Sequence, residues 1–223
     1  MTTERVLLPG ATGFVGGNVA AVLTEPGADV VCAVRRDPGP AFPWPWRMTD
    51  LGDQADVGRA LAEHSSTAVL HLAIDNDLQG LYRDRRAGFD AYVGMTPRVV
   101  DAANAHGAQV GHLSTDWVFD GTQDDSINGV ASPVTAAEIG ARLLLALEKR
   151  ADGVLHVVGA TAVTRTGLAQ ATCETFGLDA SLLHTGPLTA LRREVETGET
   201  CTLTGPVTGP QPGSATVAEG YVR

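Results

Sequence analysis

The chain has 223 residues, of which 43% are hydrophobic and 19% are charged, a balance that predicts a globular protein with its own core. Its formal net charge of -10 at pH 7 argues against nucleic acid and against an anionic membrane surface as partners. The longest apolar runs are far shorter than the roughly 20 residues that cross a bilayer, and the N-terminus has no signal-peptide pattern, so we expect a cytoplasmic protein.

The cysteines and histidines do not form a recognisable metal-binding pattern. Cys32, Cys173 and Cys201 show neither CxxC nor CxxH spacing, and the six histidines are scattered along the chain. We therefore expect free thiols in a reducing compartment and no metal site.

Strands and helices alternate along the first 160 residues. Short apolar runs predict strands at 6–8, 29–34, 67–73, 109–114 and 154–158. Amphipathic segments predict helices at 14–23, 53–64, 87–106 (with Pro97 starting or kinking its main part) and 134–149. A proline-rich loop follows the second strand. Connections of this length require crossovers, so we predict a doubly wound parallel α/β sheet, the Rossmann fold.

The pattern weakens after about residue 160. Two further helices are predicted around 167–176 and 188–196, followed by a tail rich in glycine, proline and threonine. We expect a dinucleotide-binding Rossmann domain over 1–160, with an abbreviated C-terminal substrate-binding region over 161–223 packed on it.

The strongest motif is the glycine turn Gly-Ala-Thr-Gly-Phe-Val-Gly at 10–16, directly after the first predicted strand. Gly10 permits a sharp turn, Gly13 lets the backbone approach a pyrophosphate, and Gly16 lets the helix pack closely on the strand. The helix N-terminus offers unpaired N–H groups and a positive dipole end to the phosphates. The motif predicts cofactor contacts at Gly10, Thr12, Gly13, Phe14, Val15 and Gly16. The alternative is a tight turn that binds no ligand.

The end of the second strand favours NADP over NAD as the cofactor. An acidic residue there would bind the ribose hydroxyls of NAD, but the sequence has Arg35 and Arg36, whose guanidinium groups suit a 2′-phosphate. A solvated strand end is the alternative interpretation. The ends of the next two strands supply the other predicted cofactor contacts, at Asp50, Leu51, Leu72 and Ala73.

The glycine turn and the segment His-Leu-Ser-Thr-Asp-Trp-Val-Phe-Asp-Gly at 112–121 resemble the extended short-chain dehydrogenase/reductases, the NAD-dependent epimerase/dehydratase type. Within that family the segment is most similar to the dTDP-4-dehydrorhamnose reductases, and the resemblance covers roughly residues 4–160. It implies a Ser or Thr, a Tyr and a Lys as the catalytic group. The tyrosine protonates the carbonyl oxygen as hydride arrives, the lysine lowers the pKa of the tyrosine, and the hydroxyl holds the substrate oxygen.

The sequence departs from this pattern at the tyrosine and the lysine. Thr115 matches the hydroxyl position. Counting from the Ser-Pro that closes the next loop places the tyrosine at Ala137 and the lysine at Ala141, or, with a one-residue gap, at Glu138 and Arg142. Neither register contains the pair, so the resemblance implies an atypical member.

Other polar residues are candidates for the missing chemistry. Glu138 and Arg142 share a helix face, so a carboxyl acid or base could be steadied by a cation, although an ordinary exposed ion pair explains the same spacing. Asp116 is a further candidate acid or base, giving Thr115, Asp116, Glu138 and Arg142 as candidate catalytic residues. Candidate substrate contacts, including two tyrosines that are either proton donors or packing residues, are Tyr82, Arg83, Tyr92 and Trp117.

Three functions agree with this sequence. The first is NADPH-dependent reduction of a carbonyl or imine in a small, possibly sugar-like or secondary-metabolite substrate. The second is a non-redox enzyme, a cyclase, isomerase, dehydratase or lyase, in which the dinucleotide is a structural part or its site is reused. The third is a non-catalytic NADP-binding sensor. A stripe of Leu143, Leu144 and Leu147 suits either a homodimer contact or core packing.

Overall fold

The computed structural model describes residues 4–74, 83–114 and 130–183. The chain divides into two compact units, one formed by 1–114 with 136–155 and the other by 115–135 with 156–223. The division at residue 160 that the sequence suggests stays a prediction.

A five-stranded parallel sheet forms the centre of the first unit. Its strands are β1 (Arg5–Pro9), β2 (Asp29–Val34), β3 (Trp46–Met48), β4 (Ala68–His71) and β5 (Gln109–His112). Their order is β3-β2-β1-β4-β5, so the chain reverses direction across the sheet between β1 and β4. Leu7 of β1 pairs with Val31 on one side and with Val69 on the other. The predicted doubly wound parallel α/β fold is confirmed.

Helices cover both faces of this sheet. They are α1 (Phe14–Thr24), α2 (Gln54–His64), α3 (Arg85–Phe89), α4 (Met95–His106) and α5 (Ala136–Glu148). One core cluster joins the sheet to α1 and α5, and a second joins its other face to α2 and α4. Leu147 is buried in the first cluster, and Leu143 and Leu144 pack against it. The leucine stripe therefore serves core packing.

A π-helical turn, Asp90–Gly94, joins α3 to α4 without a break. The N–H of Met95 donates to the Asp90 carbonyl, five residues earlier. A Cβ on Gly94 would overlap the Asp90 carboxylate, which pairs with Arg98 at 2.9 Å. Pro97 was expected to start or kink the main part of this helix. The irregular turn ends at Gly94, just before Pro97, and Pro97 lies in the first turn of α4.

A hydrogen bond just after α5 shows the direction in which this helix runs along the sheet. The side-chain amide of Gln109, at the start of β5, donates to the Ala151 carbonyl at 3.0 Å. Residues just after α5 therefore lie at the amino edge of the sheet, and α5 begins at the carboxyl edge. Along its length α5 approaches α1 closely, since a Cβ on Gly140 would lie 3.0 Å from the Cβ of Val22.

The face on which α5 lies differs from the one its sequence position suggests. Connections between parallel strands are right-handed, and α4, which links β4 to β5, lies on the α2 face. A helix leading from β5 to a further strand beyond it would lie on that same face. Because α5 packs beside α1 on the opposite face, it is not such a crossover helix.

The strand predicted at 154–158 is wrong. This segment has no strand structure, and Val154 is 86% exposed. The boundary between the two units falls within it, after Leu155. A strand needs a neighbour for its ladder, and tertiary context overrides the β-propensity of an apolar run that has none.

The second unit contains a short antiparallel pair and a helix. β6 (Val130–Ala131) pairs with β7 (Val163–Thr164), which leads into α6 (Arg165–Phe176). The Thr164 hydroxyl caps α6 by accepting the N–H of Gly167 at 2.9 Å. The helix predicted around 167–176 is confirmed, and the one predicted at 188–196 lies outside the described residues. Among the described helices, none has the length and apolar character needed to span a bilayer.

Candidate functional site

The glycine turn lies between β1 and α1, against the end of β4. Gly10 has φ +98°, in the left-handed region that favours glycine. A Cβ at this position would lie 2.5 Å from the carbonyl carbon of Leu72 and 2.6 Å from the nitrogen of Ala73. The N–H of Gly13 closes the turn by donating to the Gly10 carbonyl at 3.0 Å. The glycine turn and the end of β4 are therefore in direct contact.

The other two glycines of the motif have different structural roles. Gly16 is buried, and a Cβ there would overlap the carbonyl oxygen of Gly10, so close packing of helix on turn requires glycine. Gly13 is exposed, with φ -89° and ψ 168°, which any residue adopts. Its Cβ would meet only the Gly10 oxygen, at 3.3 Å. The space around Gly13 therefore does not by itself require glycine at this position.

The N-terminus of α1 is open. Gly13 is its N-cap residue, no side chain caps the first turn, and no acidic residue lies in that turn. The first N–H groups and the positive end of the helix dipole are thus available to a phosphate. Thr12 is exposed beside this end, Phe14 is 81% exposed, and Val15 packs against the core.

The remaining predicted cofactor residues lie at the carboxyl ends of the neighbouring strands. Arg35 and Arg36 are exposed directly after β2. Asp50 is exposed just after β3, where its Oδ1 accepts the N–H of Gly52 at 2.8 Å. Leu51 packs against the α2 core cluster. The structure brings these residues to the same edge of the sheet as the glycine turn.

A charged network holds the end of β3. Asp56 of α2 accepts the backbone N–H of Asp50 at 2.8 Å and pairs with Arg47 at 3.0 Å. Arg47 also pairs with Glu63 at 2.7 Å. The Asp50 N–H first, and the Arg47 guanidinium after it, hold the pKa of Asp56 below its usual value. The network fixes the backbone at Asp50 and was not predicted from the sequence.

An open groove of about 660 Å³ adjoins the glycine turn on the α1 side of the sheet. It lies between the first turns of α1 and the proline-rich loop, and its lining residues are Ala11, Thr12, Gly13, Phe14, Gly17, Asn18, Ala21, Pro38, Phe42 and Trp44. Phe42 and Trp44 meet edge to face with centroids 5.3 Å apart. The sequence predicted only a proline-rich loop here. Its two aromatic residues, so close after Arg35 and Arg36, were a signal from which this groove could have been predicted.

A histidine pair lies at the ends of β4 and β5. His71 and His112 are paired in the sheet register, and their ring centroids are 5.0 Å apart. His71 is 1% exposed, whereas His112 is exposed. Nε2 of His71 lies 3.4 Å from the hydroxyl of Thr96, and its Nδ1 has no hydrogen-bond partner among the described residues. Burial, with a contribution from His112, lowers the pKa of His71 to about 4.

These histidines are scattered in the sequence, and their pairing could not be predicted from it, because β4 and β5 are far apart along the chain. Within the described part of the chain, no group of three or more His, Cys, Asp or Glu residues could hold a metal ion. Cys32 and Cys173 are buried free thiols, and burial raises the pKa of Cys32 to about 12.

The candidate catalytic and substrate residues are only partly described. Glu138 and Arg142 are exposed on α5, on the α1 side of the sheet. Arg83 is exposed just before α3, and Tyr92 lies in the π-helical turn, 40% exposed. Thr115, Asp116, Trp117 and Tyr82 lie outside the described residues. The catalytic and substrate roles of all these residues stay predictions.

Comparison with known proteins shows one family and one fold. The family profile described as "RmlD substrate binding domain" matches residues 4–129. A dTDP-4-keto-6-deoxy-D-glucose reductase of Streptomyces niveus is 26% identical over 136 residues, 60% of this chain and 43% of that protein. The chain thus spans less than half the length of this curated relative.

Two solved structures share the fold at low identity. The dTDP-4-dehydrorhamnose reductase of Bacillus anthracis, in complex with NADP, superimposes with a TM-score of 0.67 at 14% identity, over 80% of this chain and 83% of that one. A hypothetical dTDP-4-dehydrorhamnose reductase of Sulfolobus tokodaii gives a TM-score of 0.65 at 19% identity, over 78% of this chain and 83% of that one.

Proposed function

This chain belongs to the RmlD substrate binding domain family, of the extended short-chain dehydrogenase/reductase type, and we propose from that premise that it binds a nicotinamide dinucleotide and reduces a carbonyl group of a nucleotide-linked sugar. The observation that carries the proposal is the open space at the exposed Gly13, where a Cβ would meet only the Gly10 oxygen, beside the uncapped N-terminus of α1. A bound reduced nicotinamide would supply a hydride. The residues of the chain bind it, orient the substrate and supply the proton.

The cofactor we propose is NADP. Its pyrophosphate would lie on the N–H groups of the glycine turn, and Arg35 and Arg36 at the end of β2 would bind the 2′-phosphate. Asp50 and Leu51 after β3, and Leu72 and Ala73 after β4, are the proposed adenosine contacts. A relative in complex with NADP agrees with this choice, although at 14% identity it shows the fold alone.

The substrate would lie over the other half of the sheet. Because the arginines follow β2, on one side of β1, the nicotinamide half of the cofactor extends toward β4 and β5. We propose Thr115 as the hydroxyl that holds the substrate oxygen and Asp116 as a nearby polar group. The other residues we propose as substrate contacts are Tyr82, Arg83, Tyr92 and Trp117.

Binding without hydride transfer is the second candidate function. It is favoured by the position of α5, which brings Ala137 and Ala141 to the α1 face, away from the face where a crossover helix after β5 would lie. A chain in which α5 lies on the α1 face and lacks the Tyr-Lys pair could hold the dinucleotide as a sensor or as a structural part of a non-redox enzyme.

Calorimetric titration of the purified chain with NADPH and NADH, followed by a turnover assay, tests the proposal. We expect tighter binding of NADPH and its oxidation on addition of dTDP-4-keto-6-deoxy-D-glucose, the compound in the name of the Streptomyces niveus relative. Binding of NADPH without oxidation over a panel of keto-sugar nucleotides would favour the second candidate. Absence of binding to either dinucleotide would refute both.

A further inference from the structure

We infer that His112 is the proton donor of the proposed reduction and that His71 is a positioning residue that holds the His112 ring in place. The inference rests on the proposed function, because a proton donor matters only where a carbonyl is reduced. No tyrosine of this chain is followed by lysine at the fourth position, so the proton-donating pair of the family is absent.

The place of His112 in the sheet suits this role. The pyrophosphate site lies at the end of β1, and β4 and β5 are the next two strands on the side away from the arginines. Neighbouring strands are about 4.8 Å apart, so the end of β5 lies roughly 10 Å from the glycine turn, on the proposed substrate side. His112 is the last residue of β5, at the carboxyl edge of the sheet, and its side chain is exposed there.

The two rings form a unit built across the sheet. Val69 and Val110 lie in or against the α2 and α4 core cluster, so strand alternation places His71 and His112 on that same face. The hydroxyl of Thr96, in the first turn of α4, lies 3.4 Å from Nε2 of His71 and orients the buried ring. The buried ring in turn limits where the exposed ring of His112 can lie, since their centroids are 5.0 Å apart.

Burial keeps His71 from supplying the proton itself. Burial, and then the charge on His112, lower the pKa of His71 to about 4, so above that pH the His71 ring is neutral. On α4 and the π-helical turn, Arg98 pairs with Asp90, and the charged residues of α5 lie on the opposite face of the sheet.

The reaction balances with these groups. The carbonyl carbon of the substrate takes a hydride from the reduced dinucleotide, and the carbonyl oxygen takes the N–H proton of protonated His112. The products are a secondary alcohol, an oxidised dinucleotide and a neutral imidazole. Because His112 is exposed, water restores its proton before the next turnover.

The test compares His112→Gln with His106→Gln, a control at an exposed histidine at the end of α4. General acid catalysis contributes about 10²-fold or more, so we expect kcat to fall by about that factor in His112→Gln only. The fall of wild-type kcat with rising pH should disappear in this variant, and NADPH affinity should not change. His106→Gln should keep the activity and the pH profile of the wild type.

A second measurement needs no turnover. Nuclear magnetic resonance of the ring protons in the protein without ligands should show that the His71 ring, assigned by the loss of its signals in His71→Gln, stays neutral down to about pH 5. Thr96→Val removes the hydroxyl beside His71 and should lower kcat while the pH-dependent fall persists. A His71 ring that titrates near neutrality would overturn the positioning role.

The outcomes separate this inference from the proposed function. If the wild-type protein binds NADPH but does not oxidise it with any substrate of the panel, both the proposed function and this inference are overturned. Wild-type protein that turns over, with His112→Gln equally active at every pH, overturns the donor alone and leaves the function standing. In that case Glu138→Gln and Tyr92→Phe, made in parallel, test the two remaining candidate proton donors among the described residues, because only substitution of the true donor should lower kcat.

Discussion

Replacing Gly13 with alanine should separate ligand binding from folding. The backbone at Gly13 suits any residue, and the added Cβ would meet only the Gly10 oxygen at 3.3 Å. That contact is relieved by a shift of a few tenths of an ångström. We therefore expect Gly13→Ala to change the free energy of unfolding by no more than about 1 kcal/mol, including the loss of a favourable N-cap residue.

The same methyl group would cover the N–H groups that we propose bind the pyrophosphate. A hydrogen bond to a charged group contributes about 1.5–3 kcal/mol, and each 1.4 kcal/mol is a factor of about ten in affinity. Losing a single such bond should therefore raise the Kd for NADPH by about tenfold to a hundredfold. Isothermal titration calorimetry measures the affinity, and urea unfolding of the same samples measures the stability.

Two glycine variants act as controls. A Cβ on Gly16 would overlap the Gly10 carbonyl, so Gly16→Ala should destabilise the fold by about 1–3 kcal/mol or more. Gly58 in α2 has nothing within 4 Å of its Cβ position, so Gly58→Ala should stabilise the protein by about 0.5–1 kcal/mol with binding unchanged. If Gly13→Ala binds NADPH as tightly as Gly58→Ala does, the glycine turn is not the pyrophosphate site.

Three other changes test neighbouring parts of the site. Arg36→Ala should weaken NADPH by about tenfold in calorimetry and leave NADH unchanged, because only NADPH has the 2′-phosphate; equal losses would refute this role. Trp44→Phe should abolish most of any change in tryptophan fluorescence on NADPH binding, because Trp44 lines the groove at the glycine turn. The pKa of His71 is lowered to about 4 in the folded state, so the unfolded state takes up the proton first. Stability should therefore fall as pH drops from about 6.5 to 4, by about 3 kcal/mol, and urea unfolding of His71→Gln should show a flatter dependence.

The sheet and the glycine turn could be predicted because their signals are local. β2 occupies the predicted residues, and α1 and α2 differ from their predicted ranges by one residue at single ends, since apolar periodicity and turn residues mark these elements directly. The direction of the chain through the turn is equally local, because only glycine accepts φ +98° at Gly10 without strain.

Features that depend on distant partners could not be predicted. The sequence gives no sign that α5 packs beside α1, because its amphipathic pattern fits either face of the sheet. The apolar run at 154–158 reads as a strand, yet strand formation depends on a neighbour to pair with. The contact between His71 and His112 arises only from the register of β4 against β5, which is set by packing of the whole sheet.

The extra residue of the π-helical turn determines the direction in which the side chains before it point. A π turn is an α-helix with one added residue, and each residue of an α-helix rotates the chain by about 100°. Deleting Val93 would close the turn into regular α-helix and rotate α3 by about 100° relative to α4, while leaving α4 seated on the sheet. The direction in which Arg83 points at the carboxyl edge would change with it, so this one extra residue sets the angular position of the segment before α4.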